Sequence, residues 1–142
     1  MSTIVVGYDG TEGADVALCE AASLARDLGD RLVLVFSYEV SRLGGEVADY
    51  ADALRQYGRG VLERGRSQDV LHGLDVELRE VEQRPAHGLI AIADEYDARM
   101  IVTGSYGERP LKGILVGSTP YRLMHLSERP VLVVRSGGQD GS

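Results

Sequence analysis

Residues 100–118 read MIVTGSYGERPLKGILVGS and contain the pattern from which the fold is deduced. An apolar run ends at Gly104, Gly107 follows shortly after it, and Gly117 and Ser118 come directly before a helical pattern. Glycine lets the backbone turn sharply and approach a ligand closely, and the N–H groups at the start of a helix attract phosphate. The segment therefore suits a phosphate-binding loop in which Ser118 caps the helix or offers its hydroxyl. Glycines that only form turns are the alternative, and the pattern alone leaves both open.

Neither of the two common nucleotide-binding fingerprints occurs in this chain. There is no Gly-Lys-Ser/Thr sequence, which excludes a P-loop, and no Gly-x-Gly-x-x-Gly follows the first apolar run. A nucleotide site here would need a different phosphate-binding arrangement.

Outward from this segment, the chain carries five short apolar runs that predict β-strands. Three of them are nearly continuous in Ile, Val, Leu and Met, which is typical of strands buried on both faces of a parallel sheet. The third run alternates apolar and charged residues, which predicts a half-exposed strand at a sheet edge. The runs are Thr3–Tyr8, Arg31–Ser37, Asp75–Val81, Arg99–Thr103 and Pro130–Arg135.

Helical patterns separate the strands. Apolar residues recur at helical spacing from Ala14 to Leu28, and a long amphipathic helix is predicted over residues 47–71. Pro85 begins a third helix and the fourth covers residues 119–126. This alternation predicts an α/β fold with a parallel sheet whose ligands bind at the carboxyl ends of the strands. Those ends lie at Tyr8-Asp9, Ser37-Tyr38 and Thr103-Gly104, and residues 40–49 read as a loop over the same edge.

Composition excludes several classes of protein. The chain has 142 residues and a formal net charge of −7, which is unsuited to a general nucleic-acid surface. No apolar run approaches the length of about 20 residues that a membrane span needs. Cys19 is the only cysteine, so no internal disulfide can form and a reducing cytoplasm is expected. Its position among alanines predicts a small core residue.

With these runs in place, the chain resembles the universal stress protein family. Gly104, Gly107, Gly117 and Ser118 match its Gly-x2-Gly-x9-Gly-Ser/Thr motif. Residues 4–10 (IVVGYDG), 100–105 (MIVTGS) and 129–135 (RPVLVVR) are similar to its opening, fourth and closing strands. The resemblance implies a single open five-stranded parallel sheet of order 3-2-1-4-5, Rossmann-like, with helices on both faces. It implies a nucleotide-binding domain over residues 1–136 and a flexible tail over residues 137–142.

The resemblance also implies the residues that bind the nucleotide. The glycines and the serine of the motif would hold the ribose and phosphates, the end of the first strand would line the adenine and ribose side, and Ser37 would contact adenine through its backbone. The full set is Gly7, Tyr8, Asp9, Ser37, Thr103, Gly104, Tyr106, Gly107, Gly117, Ser118 and Thr119. Pro110 and Pro120 depart from the family pattern, although proline in the first turn of a helix is tolerated. For Asp9, a simple turn-forming or capping role is the competing interpretation.

In that family the motif marks the members that bind ATP, so the resemblance predicts a cytoplasmic ATP-binding regulator or sensor of the stress response. A slow Mg-dependent ATPase in which Asp9 and Ser118 position the metal is one alternative, and a nucleotide-free interaction module is another. Scattered histidines predict no metal site made by the protein alone, so Mg²⁺ would arrive with ATP. The strand Pro130–Arg135 lies at a sheet edge in this order, where an uncovered apolar strand favours aggregation. The resemblance implies a homodimer that pairs this strand across a two-fold axis.

Overall fold

The apolar runs and helical patterns form one parallel sheet with helices on both faces. The structure, a computed structural model, describes residues 1–40, 47–105 and 118–136, without the side chains of residues 47 and 48. Its elements are β1 (Thr3–Gly7), α1 (Glu12–Leu28), β2 (Arg31–Tyr38), α2 (Val47–Arg66), a 3-10 helix (Asp69–Leu71), β3 (Val76–Glu82), α3 (Pro85–Tyr96), β4 (Met100–Gly104), α4 (Ser118–Leu126) and β5 (Val131–Val134). The strand order is β3-β2-β1-β4-β5, as expected, and each adjacent pair is parallel.

Side chains of the central strands point alternately into two separate cores. Ile4 and Val6 lie with α1 and α2 on one face, whereas Val5 lies with α3 and α4 on the other. The same alternation runs along β2, where Leu34 and Val35 belong to opposite cores. Continuous apolar sequence is required because both faces of these strands are covered.

Local signals in the sequence account for the helix ends. The hydroxyl of Thr11 caps α1 by accepting a hydrogen bond of 3.2 Å from the Ala14 N–H, and Gly29 ends α1 with φ of 72°. Pro85 lies in the first turn of α3, where its missing N–H breaks no helical hydrogen bond. The fourth helix begins at Ser118, one residue before the expected start, with Pro120 buried in its first turn.

The second helix differs from the prediction over residues 47–71. It ends at Arg66 and is followed by the separate 3-10 helix, which begins after Gln68. Two of its three glycines are explained by packing, because they face aromatic rings. Gly58 lies against Phe36 and Gly65 lies against Tyr8, each so close that a Cβ would overlap the ring. Helical spacing alone could not show that ring contacts, rather than helix propensity, select these residues.

The predicted core position of Cys19 was wrong, because this residue is exposed on α1. Its neighbours Leu18 and Ala17 are buried, so the apolar stripe of α1 passes beside Cys19 and not through it.

No helix within residues 1–40, 47–105 and 118–136 has the length and apolar character to cross a lipid bilayer.

An ion pair between the buried Asp30 and the partly exposed Arg99 joins the amino ends of the strands, opposite the candidate site. The side chain of Asp30 is only 1% exposed. It accepts hydrogen bonds from Arg99 Nε at 2.5 Å and from the Ser2 N–H at 3.1 Å. Hydrogen bonding to Arg99 holds the pKa of Asp30 below its ordinary value. Because the folded-state pKa is the lower one, these contacts stabilise the fold above the ordinary carboxyl pKa, and the stabilisation is lost as pH falls through the folded-state pKa.

Replacing Asp30 by asparagine is therefore expected to lower the free energy of unfolding at neutral pH by about 2 kcal/mol. The difference in free energy of unfolding between wild type and variant should shrink as pH falls below about 4, because protonation of Asp30 then removes its stabilising contribution. Urea unfolding at a series of pH values measures it. Asp27→Asn on the exposed side of α1 is the matched control and should change stability by less than about 0.5 kcal/mol. A difference for Asp30→Asn that stays constant down to pH of about 3 would contradict the assignment.

Candidate functional site

A cleft opens at the carboxyl ends of the strands, where β1 and β4 diverge. From β1 the chain continues to β2 on one side and from β4 to β5 on the other, so the strand order reverses between them. Open α/β sheets bind ligands at this switch point. We call this cavity the inner cleft; it is lined by Gly7, Tyr8, Asp9, Ala14, Val35, Phe36, Ser37, Pro85, Leu89, Thr103, Gly104, Thr119 and Pro120.

The inner cleft brings together most of the predicted nucleotide-binding residues that the structure describes. Its lining includes Gly7, Tyr8, Asp9, Ser37, Thr103, Gly104 and Thr119. Ser118 lies just outside it, at the start of α4. Tyr106, Gly107 and Gly117 were also predicted, and they lie outside the described residues, as does Pro110.

Tyr8 contributes to the cleft in a different way from its neighbours, because its ring packs into the core beneath α1 and α2. Its hydroxyl donates to Asp15 Oδ1 at 2.5 Å, and Gln68 Nε2 donates to the same oxygen at 2.7 Å. Burial, followed by the nearby Asp15 carboxylate, raises the pKa of Tyr8 above its ordinary value. The phenol is thus a neutral structural donor that joins β1, α1 and the segment after α2.

Asp9 is exposed at the rim of the inner cleft and also shapes the turn into α1. Its Oδ1 accepts hydrogen bonds from the Thr11 N–H at 3.0 Å and from the Thr11 hydroxyl at 2.6 Å. The turn-forming interpretation is therefore present in the structure. It does not compete with a ligand role, because a carboxylate has further acceptor sites after these two bonds.

Ser37 turns its backbone, and not its hydroxyl, towards the inner cleft. Its Oγ donates to the Gln83 carbonyl at 2.6 Å. Two residues of β2 show which side of this strand faces β1. The Arg31 N–H donates to the Ser2 carbonyl, and the Val35 carbonyl accepts from the Tyr8 N–H. Backbone polar groups alternate along a strand, so the N–H and C=O of Ser37 point to the same side. The register of β1 with β2 ends at Gly7 and Val35, which leaves Ser37 facing the space beyond β1.

Gly104 ends β4 and lies directly against the first turn of α1. A Cβ at this position would come within 3.0 Å of the Gly13 carbonyl oxygen and 3.1 Å of its carbon. The sequence suggested that glycine is needed here for a sharp turn. In the structure Gly104 is the last residue of the strand, and glycine is favoured because the α1 backbone leaves little room for a side chain.

Apolar walls complete the inner cleft, and sequence reasoning missed them. Val35, Phe36, Leu89 and Pro85 line it together with Ala14. In the sequence these residues are indistinguishable from core positions of β2 and α3. Only their location in the cleft at the carboxyl ends of the strands identifies them as candidate ligand-facing residues.

A second depression adjoins the inner cleft and shares Pro85 and Thr119 with it. We call it the outer basin; it is lined by Glu39, Arg84, Pro85, Ala86, Ser118, Thr119 and Arg122. Ser118, predicted to bind phosphate, lies here. Arg84 Nε donates to Glu39 Oε2 at 3.2 Å. The two arginines were not predicted, because exposed arginines at helix starts carry no distinguishing pattern.

Proteins of one family are similar to this chain over almost its full length. The model of the universal stress protein family matches residues 1–135. The universal stress protein Rv1636 of Mycobacterium tuberculosis strain H37Rv is 28% identical over 144 residues, covering 94% of this chain and 96% of its own. The solved structure of the hypothetical protein MJ0577 superposes with a TM-score of 0.86 at 23% identity, covering 97% of this chain and 98% of its own, and therefore shows the fold alone. A universal stress protein solved in complex with cAMP has a TM-score of 0.71 and 25% identity, covering 96% and 98% of the two chains.

Proposed function

Because this chain belongs to the universal stress protein family, we propose that it binds ATP in the inner cleft and acts in the cytoplasm as a nucleotide-dependent regulator of the stress response. The observation that carries the proposal is the inner cleft itself. It combines apolar walls with strand-end backbone groups at the topological switch point, which is the combination that suits a nucleoside.

The inner cleft suits the adenosine part of the ligand. Phe36, Leu89 and Val35 offer apolar surface for the base. The N–H and C=O of Ser37 match the acceptor and donor on the edge of adenine, where a ring nitrogen lies beside the amino group. Asp9 at the rim can accept hydrogen bonds from ribose hydroxyls.

The start of α4 suits the phosphates. Ser118 and Thr119 occupy its first turn, where backbone N–H groups have no partner within the helix and favour an anion. Where Mg²⁺ accompanies ATP, Asp9 and Ser118 supply the kind of oxygen ligands that this ion prefers. The relative solved with cAMP supports an adenine nucleotide as the ligand class, and the Gly-x2-Gly-x9-Gly-Ser/Thr pattern supports ATP within that class.

Efficient hydrolysis is not part of this proposal. Among the lining residues that the structure describes, Asp9 is the one carboxylate of the inner cleft, and its Oδ1 already accepts two hydrogen bonds from Thr11. Phosphoryl transfer depends on a positioned nucleophile and charge stabilisation. We therefore expect a site that holds ATP, and slow ATPase activity is the alternative that the experiment separates.

The test begins with the purified protein. Denaturation followed by chromatography should release an adenine nucleotide, and calorimetry should detect ATP binding to the emptied protein. Steady ADP production above the blank would favour the slow ATPase. A protein that is empty and gives no calorimetric response to ATP would instead be a nucleotide-free interaction module.

Asp9→Ala is expected to weaken ATP binding roughly five- to tenfold, because it removes a charged hydrogen-bond acceptor at the rim. Calorimetry on the folded variant measures it. Thr11→Ala is the control: it removes the α1 cap and should cost about 1 kcal/mol of stability while leaving the carboxylate in place. If Asp9→Ala lowers stability as Thr11→Ala does and leaves ATP affinity unchanged, the turn is its only role.

We also propose a homodimer formed along β5. This strand is at the sheet edge and its residues Val131–Val134 are each half-buried. Among the described residues, no strand pairs with its outer side. Pairing with a second copy would satisfy that edge. Light scattering should give twice the monomer mass, and Val133→Glu should abolish the dimer.

A further inference from the structure

The outer basin differs in chemical character from the inner cleft. Among its described lining residues are two arginines and one glutamate, a formal charge of +1 on a chain whose net charge is −7. The inner cleft, by contrast, is mostly apolar with a single carboxylate among its described lining residues. On a protein with a negative net charge, a local positive charge makes the outer basin a favourable site for an anion.

The position of the outer basin relates it to the phosphate end of the proposed ligand. Thr119 and Pro85 belong to both cavities, and Ser118 belongs to the outer basin. A nucleotide whose base lies at Ser37 and whose first phosphate reaches the start of α4 would direct any further phosphates into this basin. Arg122 lies on α4 one turn after Ser118 and is exposed.

The two arginines are not equivalent. Arg84 is paired with Glu39, with its Nε 3.2 Å from Glu39 Oε2. Arg122 has no ion pair among the described residues of the chain, so its guanidinium is available to a ligand. Guanidinium groups bind phosphate oxygens with two parallel hydrogen bonds, a geometry that a single neutral donor cannot reproduce.

We propose that Arg122, together with Arg84, determines the length of the phosphate chain that this site prefers, favouring ATP over AMP. The inference rests on the proposed function and goes beyond it by naming the residues that choose among adenine nucleotides. Arg122 is a specificity-determining residue that contacts the terminal phosphates. Glu39 opposes this preference, because it occupies Arg84 and places a negative charge beside the same phosphates.

This arrangement gives two substitutions with opposite effects. Arg122→Gln removes the unpaired positive charge and should weaken ATP binding roughly three- to tenfold while leaving AMP binding unchanged. Glu39→Gln removes the competing carboxylate and frees Arg84, so it should tighten ATP binding by roughly two- to fivefold, again with AMP unchanged. Both side chains are exposed, so both variants should fold as the wild type does.

The experiment is calorimetric titration of the emptied protein with AMP, ADP and ATP in a magnesium-free buffer, repeated at two salt concentrations. Arg26→Gln is the matched control, because it removes the same charge in the last turn of α1, at the opposite end of the sheet. It should leave the ratio of ATP to AMP affinity unchanged. The ratio should fall in Arg122→Gln and rise in Glu39→Gln, and both differences should diminish at higher salt.

The outcomes separate the two proposals. A wild-type protein that binds neither AMP nor ATP would overturn the proposed function and this inference with it. A wild-type protein that binds both, with the same affinity ratio in Arg122→Gln as in Arg26→Gln, would overturn the inference alone. Equal weakening of AMP and ATP by Arg122→Gln would also overturn it, because the arginine would then act on a part that the two nucleotides share.

Discussion

Gly58→Ala is expected to lower the free energy of unfolding by about 2 kcal/mol, although alanine is the better helix former. The added Cβ would lie 2.8 Å from Cε1 and 2.9 Å from Cγ of Phe36, which is closer than carbon atoms approach without displacement. The ring has little freedom to move, because it packs against Tyr38 and Tyr57 with centroid distances of 6.0 Å and 5.9 Å. Urea unfolding followed by circular dichroism measures the effect.

Gly60→Ala on the same helix is the matched control, since a Cβ there would have no atom within 4 Å. Intrinsic helix propensity should make this variant more stable by about 0.5 to 1 kcal/mol. The two substitutions are chemically identical, so opposite signs can only come from the surroundings. If Gly58→Ala were as stabilising as Gly60→Ala, Phe36 would not pack against α2 as described.

Gly58→Ala should also weaken ATP binding, because Phe36 is a wall of the inner cleft. Gly60→Ala should leave ATP affinity unchanged.

Gly88→Ala is expected to lower ATP affinity tenfold or more and to cost about 1 to 3 kcal/mol of stability. Gly88 lies in the first turns of α3, directly behind Ser37, and a Cβ there would come 2.9 Å from the Ser37 Cβ and still closer to its Oγ. Relief requires movement of the β2 end or of α3. Either movement breaks the hydrogen bond from Ser37 Oγ to the Gln83 carbonyl or shifts the backbone that faces the inner cleft. Calorimetry and thermal unfolding measure the two losses.

A rescue variant makes this prediction specific. Ser37→Gly removes the atoms that Gly88→Ala would overlap, so the double variant should recover most of the lost stability and affinity. Ser37→Gly alone should cost about 0.5 to 1 kcal/mol, as glycine does in a strand. His87→Ala, at an exposed neighbouring position of α3, should change little. Additive effects of the two substitutions would contradict the contact, because residues in contact are expected to couple.

The sequence pattern predicted the strands whose two faces are both buried, and it predicted helix ends that are capped by a neighbouring residue. The strands β1, β2 and β4 were found from continuous apolar sequence, since both of their faces are covered. β3 was placed at an edge from its alternation, which the strand order confirms. The errors were α2, which stops at Arg66 instead of continuing to Leu71, and Cys19, which lies one position away from the buried stripe of α1. No glycine or proline follows Arg66 to mark the helix end, and Gly65 beside it is explained by its contact with Tyr8.

The candidate site likewise contains some residues that the sequence predicted and others that only the structure revealed. Strand ends such as Asp9, Ser37 and Gly104 were predicted, because parallel strands end at one edge of the sheet and a linear motif marks that edge. The walls formed by Phe36 and Leu89, and the arginines Arg84 and Arg122, were not predicted. An apolar residue that lines a cleft has the same local pattern as one that fills a core.

The sequence by itself determined that this chain is an α/β protein with a parallel sheet, because strand burial and helix capping depend on residues that are close together in the sequence. It also predicted the edge of the sheet at which the inner cleft lies. Only the tertiary structure decided what each residue does there. The approach of the α1 backbone favours glycine at position 104, and the Phe36 ring leaves no space for a Cβ at position 58. The hydroxyl of Tyr8 is held by Asp15 and Gln68, and Arg122 lines the same basin as Glu39 and Arg84. The physical reason is that these roles depend on contacts between segments distant in the chain, and such contacts leave no periodic signal in either segment alone.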